Sequence, residues 1–544
     1  MDNDWIAEIL PGNFWPIAIV WDSEMKFISS KRLLPQMPVA FWGLVLAYVA
    51  VAINTTVASV ALPPISKAFV VGSEQLTWIV NCTPLAASAF MLFGGYWASL
   101  YGFRRVLVIG LSILMGSAVG ASMVLDVNTL IAFRTFSGLG SALVMPSALV
   151  LAYQVVDESK RPTAIGLVTA AQAIGGLLGP LLAGYLITTV SWRAALLSVA
   201  PLLLVSILIV CSEIPKRAGP TGKPRSFDQI GATLTALFGT SSLLFLVNLS
   251  SQSNNRFISV FSIAISVLSL ITLLIHESQC SNPLFQLKQL RKRSFLVPTG
   301  INWIVQLVYG GMIFLNMQYL QLVVGLSAFK AALLVVAATL VWILCSSLSG
   351  VLSKSIGSYR LAMLGLITAS IGYGLIGFAG VSPNPFVLTV GFILSGSAGI
   401  EPAIMVHGVL ASYDEDQRSF GASLNAMVMR YGLSTGIALS GLVLSTNLSS
   451  MMNETLSRMG ESMKLNATGS IGGAFRVAES LPENERNTLI SSAKLAFVDG
   501  YRDFYVLAIA LYMVAFFILL LQSRGGRRWT SYIGSQFSKL SPFR

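Results

Sequence analysis

Fourteen apolar stretches, each long enough to cross a lipid bilayer, take up most of this 544-residue chain. A spanning helix needs about 20 mainly apolar residues, and only helices and closed barrels satisfy their backbone hydrogen bonds in lipid. Charged residues make up 11% of the chain, compared with roughly 25% in soluble domains. The sequence therefore predicts an all-α polytopic membrane protein with little room for a soluble catalytic domain. The predicted spans are 38–61, 75–99, 104–124, 129–153, 163–189, 192–212, 228–249, 256–276, 295–320, 328–352, 360–379, 385–410, 419–447 and 501–522.

The positive charges mark one side of the predicted bundle. Alternate connections and the two tails hold most of the 35 Lys and Arg residues, among them Arg104, Arg105 and Arg360. Lys and Arg near span ends are enriched on the cytoplasmic side, so both termini are predicted to be cytoplasmic. The net charge of +12 therefore indicates orientation in a lipid bilayer, and it gives no reason to expect nucleic acid as a partner.

Two glycine patterns recur along the chain at nearly the same offset. Within spans 5 and 13 the matched glycines are Gly175, Gly179 and Gly184, and Gly432, Gly436 and Gly441. At the ends of spans 2 and 10 they are Gly95 and Gly102, followed by Arg104 and Arg105, and Gly350 and Gly357, followed by Arg360. Glycines at four-residue spacing allow helices to pack closely in lipid. The patterns favour two duplicated six-helix halves, and chance recurrence among 47 glycines is the alternative.

Duplicated halves predict how the chain is divided. Residues 1–37 would be a cytoplasmic tail, 38–212 the first six-helix bundle, 213–294 two inserted helices with cytoplasmic linkers, 295–522 the second bundle with an extracytoplasmic loop at 448–500, and 523–544 a basic cytoplasmic tail. Transporters built from paired repeats bind substrate near the midplane between the repeats and rock to alternate its access. The first segment does not resemble a signal peptide. An interfacial segment and a true start at Met25 or Met37 are both open readings of it.

One acidic residue, Glu401, falls in the middle of a predicted span. Ionisable groups in a span cost roughly 2.5–3.5 kcal/mol on insertion scales and are functional candidates by default. Pro402 bends the helix beside it, and His407 follows near the cytoplasmic end. Glu401 is therefore a candidate site for a coupling proton or a substrate cation, with a hydrogen-bonded structural role as the alternative. His407 is the weaker candidate, and a structural role is favoured.

Two arginines also lie within predicted spans. Arg134 in span 4 cannot release its proton, so it must contact a carboxylate, carbonyl groups or a water-filled cavity. Arg430 in span 13 faces the same requirement, which an anionic substrate group or a cluster of carbonyls would meet. Asn54 in span 1 and Gln172 in span 5 are polar candidates for a cavity wall.

The chain carries no recognisable cofactor or metal motif. The four cysteines are scattered singly, which argues against a disulfide or metal framework. Nucleotide-binding loops of the GxxxxGK[ST] kind and hydrolase motifs are absent from the sequence. We expect no enzyme activity, no metal and no cofactor, with a proton gradient as the energy source.

Several stretches resemble the major facilitator superfamily, and within it the fourteen-helix drug:proton antiporters of the EmrB/QacA type. The similarity runs from about residue 40 to 520. Residues 95–105 (GYWASLYGFRR) are similar to the loop signature between helices 2 and 3, and residues 133–140 (FRTFSGLG) to the helix 4 signature, whose arginine, here Arg134, the family links to proton coupling. Residues 175–184 (GGLLGPLLAG) resemble the exporters' helix 5 signature, which implies a hinge at Gly179 and Pro180. Residues 228–231 (DQIG) and 282–284 (NPL) also resemble this subfamily.

Two departures from the family pattern concern carboxylates. Asn54 stands where the subfamily usually has an acidic residue, and Ser99 stands where the signature loop usually has Asp, with Lys354 in the second copy. Both usual carboxylates are therefore missing, which shifts the predicted proton site to Glu401. The resemblance also implies a gating ion pair with Arg104 or Arg105, which loss of the loop Asp is expected to weaken.

The resemblance implies a major facilitator fold and a secondary active transporter in a bacterial cytoplasmic (inner) membrane. The expected activity is export of amphiphilic small molecules, drugs or endogenous metabolites such as a siderophore, coupled to proton entry by alternating access. A facilitator that is uncoupled or differently coupled is one alternative, and a transport-inactive scaffold or sensor is another. A periplasmic adaptor with an outer-membrane channel is an open question.

Overall fold

The computed structural model describes residues 37–69, 71–157, 160–215, 228–249, 255–280, 292–411, 418–455 and 470–525. These residues form helices without any β-strand, and fourteen of the helical segments are long and apolar enough to span a membrane. The predicted fourteen-span all-α fold is confirmed. The helices of the first half are α1 (Val39–Ala68), α2 (Ser73–Tyr101), α3 (Phe103–Met123), α4 (Val127–Gln154), α5 (Arg161–Thr189), α6a (Trp192–Leu197) and α6b (Val199–Glu213).

The inserted helices are α7 (Gln229–Leu249) and α8 (Arg256–Gln279). The second half contains α9 (Arg293–Gln318, continued by a π-helical turn at Tyr319–Val323), α10 (Ala328–Ile356), α11 (Ser358–Gly377), α12a (Pro385–Ser395), a 3-10 turn at Gly396–Gly399, α12b (Ile400–Ala411), α13 (Arg418–Thr455), α14 (Ile471–Glu479) and α15 (Glu483–Gly525). We call the end of the bundle that carries Arg104, Arg105 and Arg360 the basic end, and the other the opposite end.

The two halves pack by equivalent helix contacts. Within the halves α1 packs on α5 and α9 packs on α13, whereas between the halves α5 packs on α10, α13 packs on α2 and α1 contacts α9. Adding eight to the numbers of α1, α2 and α5 gives their counterparts α9, α10 and α13 in the second half. The bundle therefore has the contact pattern of two related six-helix units.

The repeated glycines of α5 and α13 make matching contacts. Gly175 lies against the Val49 carbonyl of α1, and Gly432 lies against the Trp303 carbonyl of α9. One turn on, Gly179 and Gly436 repeat this contact with the same two helices, and another turn on, Gly184 and Gly441 each face a helix of the other half, α10 and α2. These glycines allow backbone-to-backbone packing, which is how helices associate tightly in lipid.

The two signature loops turn at glycines of the same conformation. Gly102 has φ +95° and Gly357 has φ +90°, values that residues with a Cβ rarely adopt. Each amide donates back to the preceding helix, Gly102 to Ala98 and Gly357 to Ser353, both at 3.0 Å. Each loop thus joins two spans with a single-glycine turn, in both copies of the repeat.

The inserted helices are joined at both ends. At the basic end Asp228 accepts a hydrogen bond from the amide of Gly231 at 2.8 Å and lies 2.8 Å from Nε2 of His276. At the opposite end the Asn248 side chain donates to the Ser259 hydroxyl at 2.7 Å. The pair attaches to the bundle through α7, which contacts α2 and α13, whereas α8 packs on α7.

The predicted span boundaries needed revision at three places. The predicted span at 192–212 is broken at Ser198, and the one at 385–410 changes to a tighter turn at Gly396–Gly399, where glycines pack against α10. The range 448–500 is not a loop throughout, because α13 continues to Thr455 and α15 begins at Glu483. The sequence did not predict these helical extensions, because their outer turns are polar and lie beyond the apolar segments.

The short helix α14 lies across the opposite end of the bundle. The Ser470 hydroxyl donates to the Val71 carbonyl at 2.7 Å, and the Arg476 guanidinium donates to the Lys67 and Ala68 carbonyls at 3.0 and 3.1 Å. Because α14 contacts both α1 and α15, it connects the two halves at this end. Nearby, hydrogen bonds from Thr129 hold the pKa of the exposed Asp126 carboxyl below its usual value.

Adjacent glycines in α5 allow a matched test of this packing. A Cβ at Gly175 would lie 2.5 Å from the Val49 carbonyl oxygen, whereas a Cβ at Gly176 would meet no atom within 4 Å. We expect Gly175→Ala to lower the free energy of unfolding by about 1–3 kcal/mol, because overpacking forces the helices apart. Gly176→Ala should be neutral or slightly stabilising. Thermal unfolding of the purified variants in detergent measures the difference, and equal midpoints would contradict the close-packing interpretation.

Candidate functional site: a central cavity between the halves

A cavity of about 1760 Å³ lies between the two six-helix units. Its wall runs from Ser99, Gln154 and Ser347 near the basic end to Ser59 and Asn316 deep in the bundle. Its volume exceeds the roughly 300–1,000 Å³ of ordinary small-molecule pockets. The cavity can therefore hold a bulky organic molecule or several smaller ones.

The halves close on each other beyond the deep end of the cavity. The Gln321 side chain in the π-helical turn donates to the Val60 carbonyl of α1 at 3.2 Å. Gly184 of α5 lies against Ala328 and Phe329 at the start of α10. Together with α14, these contacts close the opposite end, so the structure is open towards the basic end and closed at the other.

The cavity wall is mainly apolar, with soft and aromatic side chains. Methionine side chains adapt to differently shaped ligands, and aromatic rings offer flat contact surfaces. The methionines are Met91, Met145, Met312, Met317 and Met429, and the aromatic residues are Tyr48, Tyr96, Phe103, Tyr309, Trp342, Tyr373 and Phe392. Polar side chains are dispersed among these residues, including Thr55, Ser59, Gln154, Gln172, Gln306 and Asn316, and a mainly apolar wall with scattered polar groups suits amphiphiles.

Arg430, for which the sequence left an anionic substrate group or a cluster of carbonyls open, lies on this wall. Its Nη2 donates to the sulfur of Met145 at 3.1 Å, across the interface between the halves. Tyr48 contacts the same residue, because its hydroxyl donates to the Met145 carbonyl at 2.7 Å. Within the described ranges no carboxylate oxygen comes within 4.0 Å of Arg430.

Arg134 is buried in the first half and contacts Asn54, which the sequence placed where an acid is usual. Its Nη1 donates to the backbone and side-chain oxygens of Asn54 at 3.0 and 3.3 Å, and its Nε donates to the Ile79 carbonyl at 3.3 Å. The Asn54 amide donates in turn to the Ser137 hydroxyl at 2.5 Å. Neutral acceptors therefore bind Nη1 and Nε of the guanidinium, and Nη2 has no hydrogen-bond partner among the residues that the structure describes.

Glu401 is the second residue of α12b, a helix that contributes to the cavity wall. The side chain is fully buried, and neither carboxyl oxygen has a hydrogen-bond partner among the described residues. Gly365 of α11 makes room for the carboxyl, since a Cβ there would overlap Oε1. The next residue, Pro402, lines the cavity. The carboxyl is therefore carried by a helix that forms part of the cavity wall, and it faces α11.

The other predicted residues divide into three groups. Gln172, Gly95 and Pro180 line the cavity. Gly175, Gly179 and Gly184 are packing glycines, and Gly102 is the positive-φ turn residue. The side chain of His407 lies outside the described part of the structure.

The signature-loop arginines have different surroundings. Arg104 donates to the Cys211 carbonyl at 2.7 Å and to the Val210 carbonyl at 3.4 Å, so it caps the C-terminal end of α6b. Cations are favourable at this end of a helix. Arg105 is exposed. Ser99, where the family has Asp, donates instead to the Tyr96 carbonyl at 2.6 Å.

Sequence reasoning missed several cavity residues and one buried acid. Tyr48, Gln306 and Asn316 line the cavity, but nothing in the sequence distinguishes them from other polar residues in apolar helices. Glu277 is 4% exposed and lies in the last turns of α8, just past the predicted end of that span. Because Glu277 lies at the end of a predicted span, the sequence did not indicate that its side chain is buried.

Two six-helix units with a substrate-sized cavity at their interface define a membrane transporter of the alternating-access kind. The family model of the Major Facilitator Superfamily matches residues 44–438, and the chain belongs to this superfamily. It is a multi-pass membrane transporter of small molecules and not an enzyme, as the sequence predicted.

Curated relatives and solved structures agree with this assignment. The methyl viologen resistance protein SmvA of Salmonella typhimurium is 24% identical, over 84% of this chain and 92% of its own. The multidrug efflux pump LfrA of Mycolicibacterium smegmatis is also 24% identical, over 90% and 96%. A bacterial homologue of the lysosomal transporter Spinster shares the fold with a TM-score of 0.63 at 17% identity, over 88% of this chain and 97% of that one.

The Asn54–Arg134 contact can be tested by substitutions at Asn54. Asn54→Ala removes one acceptor from the buried guanidinium, which should cost about 1–3 kcal/mol of stability. Asn54→Asp keeps the shape and supplies a carboxylate to Arg134, so the stability should be retained. Thr55→Ala is the control, because the Thr55 hydroxyl bonds only to the Val51 carbonyl of its own helix. Thermal unfolding in detergent compares the three, and an Ala variant as stable as the control would make the contact dispensable.

Proposed function

We propose that this protein exports amphiphilic small molecules from a bacterial cell and couples export to proton entry. The observation that carries the proposal is a large apolar cavity with a buried carboxyl group on one of its wall helices, unpartnered among the described residues. The names of the relatives SmvA, a resistance protein, and LfrA, a multidrug efflux pump, support the direction of transport. The proton gradient is the energy source, and no cofactor is required.

The basic end is proposed to face the cytoplasm, with the protein in the inner membrane and both termini inside. The support is the enrichment of Lys and Arg at the loops of this end, among them Arg104, Arg105 and Arg360. The cavity then opens to the cytoplasm, and α14 covers the extracytoplasmic end. This is the state in which an exporter takes up its substrate.

Glu401 is the proposed proton site. An ionised carboxylate without a counter-charge is costly in a low-dielectric interior, whereas the neutral acid is tolerated. Opening the wall at Pro402 would expose the group to water, and closing it would favour the protonated form. The protonation state of Glu401 would therefore follow the conformation of the two halves, which is the requirement for coupling.

An uncoupled facilitator is the second candidate function. The observation that favours it is the neutral Asn54 in contact with Arg134, because the resemblance implies a carboxylate there. Gln172, Gly179 and Pro180 keep their proposed roles in either case, the first in the cavity wall and the others as a hinge of α5.

Transport into everted membrane vesicles distinguishes these functions. Vesicles acidified inside should accumulate an amphiphilic dye as protons leave, and Glu401→Gln should abolish the dependence on the pH gradient, because the amide binds no proton. Glu277→Gln is the matched control, since Glu277 is also buried in a span but lies in the inserted pair outside the cavity.

Three outcomes separate the candidates. Uptake that depends on the gradient in wild type and in the control, but not in Glu401→Gln, supports the coupled exporter. Wild-type uptake that ignores the gradient supports the facilitator. Unchanged coupling in Glu401→Gln removes this residue from the mechanism, and no uptake of any amphiphile would favour a scaffold or sensor.

A further inference from the structure

The electrostatics of the cavity point to the charge of the substrate. Of the described residues on its wall, Arg430 alone carries a charged side chain, and none is acidic. Glu401 is fully buried and is not part of the wall. An entering molecule therefore meets one fixed positive charge and no negative one.

Most N–H donors of Arg430 have no acceptor among the described residues of the protein. A guanidinium carries five N–H donors, and the one hydrogen bond that Arg430 makes with a described residue goes to the sulfur of Met145. A thioether sulfur is a weak acceptor. Tyr48 lies beside it, but its hydroxyl donates to the Met145 carbonyl. Donors at the cavity wall are thus left for a ligand.

A second positive charge is buried in the first half, against Asn54 of α1. Arg134 is 2% exposed, and among the described residues it bonds only to neutral oxygens and its Nη2 has no partner. In the described part of the chain no carboxylate lies within 4.0 Å of either arginine. Like charges repel strongly where the surroundings have a low dielectric constant, so the cavity disfavours a cationic ligand and favours an anionic one.

Apolar contact surface adjoins the charge. Tyr309 and Trp342 have ring centroids 5.3 Å apart with an interplanar angle of 37°, and both line the cavity with Met429, which precedes Arg430 on α13. A planar aromatic body can lie against these rings, while an anionic group reaches the guanidinium, which binds carboxylate and sulfonate oxygens in pairs.

We propose that the substrate class is an aromatic amphiphile that carries a carboxylate or sulfonate group, which Arg430 binds. This inference rests on the proposed function for its transport role, but binding of the ligand can be measured without any gradient. It would distinguish this chain from exporters of amphiphilic cations.

The test uses xanthene dyes that share one ring system and differ in charge. Fluorescein is anionic, its methyl ester loses the carboxylate, and rhodamine 123 is cationic. Binding to purified protein in uncharged detergent is followed by fluorescence anisotropy. We expect fluorescein to bind at least about tenfold more tightly than rhodamine 123, as one charge-assisted hydrogen bond would provide.

Variants assign the preference to Arg430. Arg430→Gln should weaken fluorescein binding about tenfold or more and change binding of the ester little, whereas Arg430→Lys should keep part of the preference. Arg256→Gln, at the exposed start of α8, is the control for removal of one positive charge and should bind like wild type. Thermal unfolding checks that each variant is folded.

The possible results are decisive for the binding proposal. Tighter binding of rhodamine 123 than of fluorescein, an equal loss for all three dyes in Arg430→Gln, or no binding of the anionic dye would each overturn it. Failure of the pH-gradient experiment leaves this binding result intact, because no gradient is used. Conversely, a coupled exporter that prefers the cationic dye would keep the proposed function and remove the anionic substrate class.

Discussion

Close backbone contact between helices is the constraint on which this architecture depends. Lipid offers no hydrophobic driving force between helices, so association relies on packing and on small residues at the interface. Gly175 and Gly179 on α5, and Gly432 and Gly436 on α13, bring these helices against the backbones of α1 and α9. Each half gains a rigid helix pair, and the cavity forms where the pairs of the two halves diverge.

The buried charges impose a second constraint, which the two halves meet differently. Arg134 in the first half is held by the oxygens of Asn54 and Ile79, so its charge is spread over neutral dipoles. Glu401 in the second half has no such partners among the described residues. Arg134, whose charge is permanent, therefore lies where polar groups solvate it. Glu401, which can become neutral by binding a proton, lies where such groups are absent among the described residues.

The helices and the repeat could be predicted because apolar length and glycine spacing are properties of the chain alone. Glu401, Arg134 and Arg430 were found for a similar reason, since charge in a span is costly wherever it lies. The contact between Asn54 and Arg134, and the place of Tyr48 and Asn316 on the cavity wall, depend on how separate helices are rotated against each other. Glu277 was missed because its burial depends on α7, not on its own helix.

An anionic substrate explains why this chain lacks two carboxylates that the family pattern implies. Moving one charge through the membrane potential is worth about 2.3 kcal/mol per 100 mV, and a cell interior that is negative drives an anion outwards. A cation must be exported against the same potential, which requires coupling to more protons and hence more proton sites. A chain with Asn54 and Ser99 in place of acids, and with Glu401 as its single carboxyl in mid-span, has the energetics of an anion exporter. The charge on the cavity wall and the missing acids are then two consequences of one substrate charge.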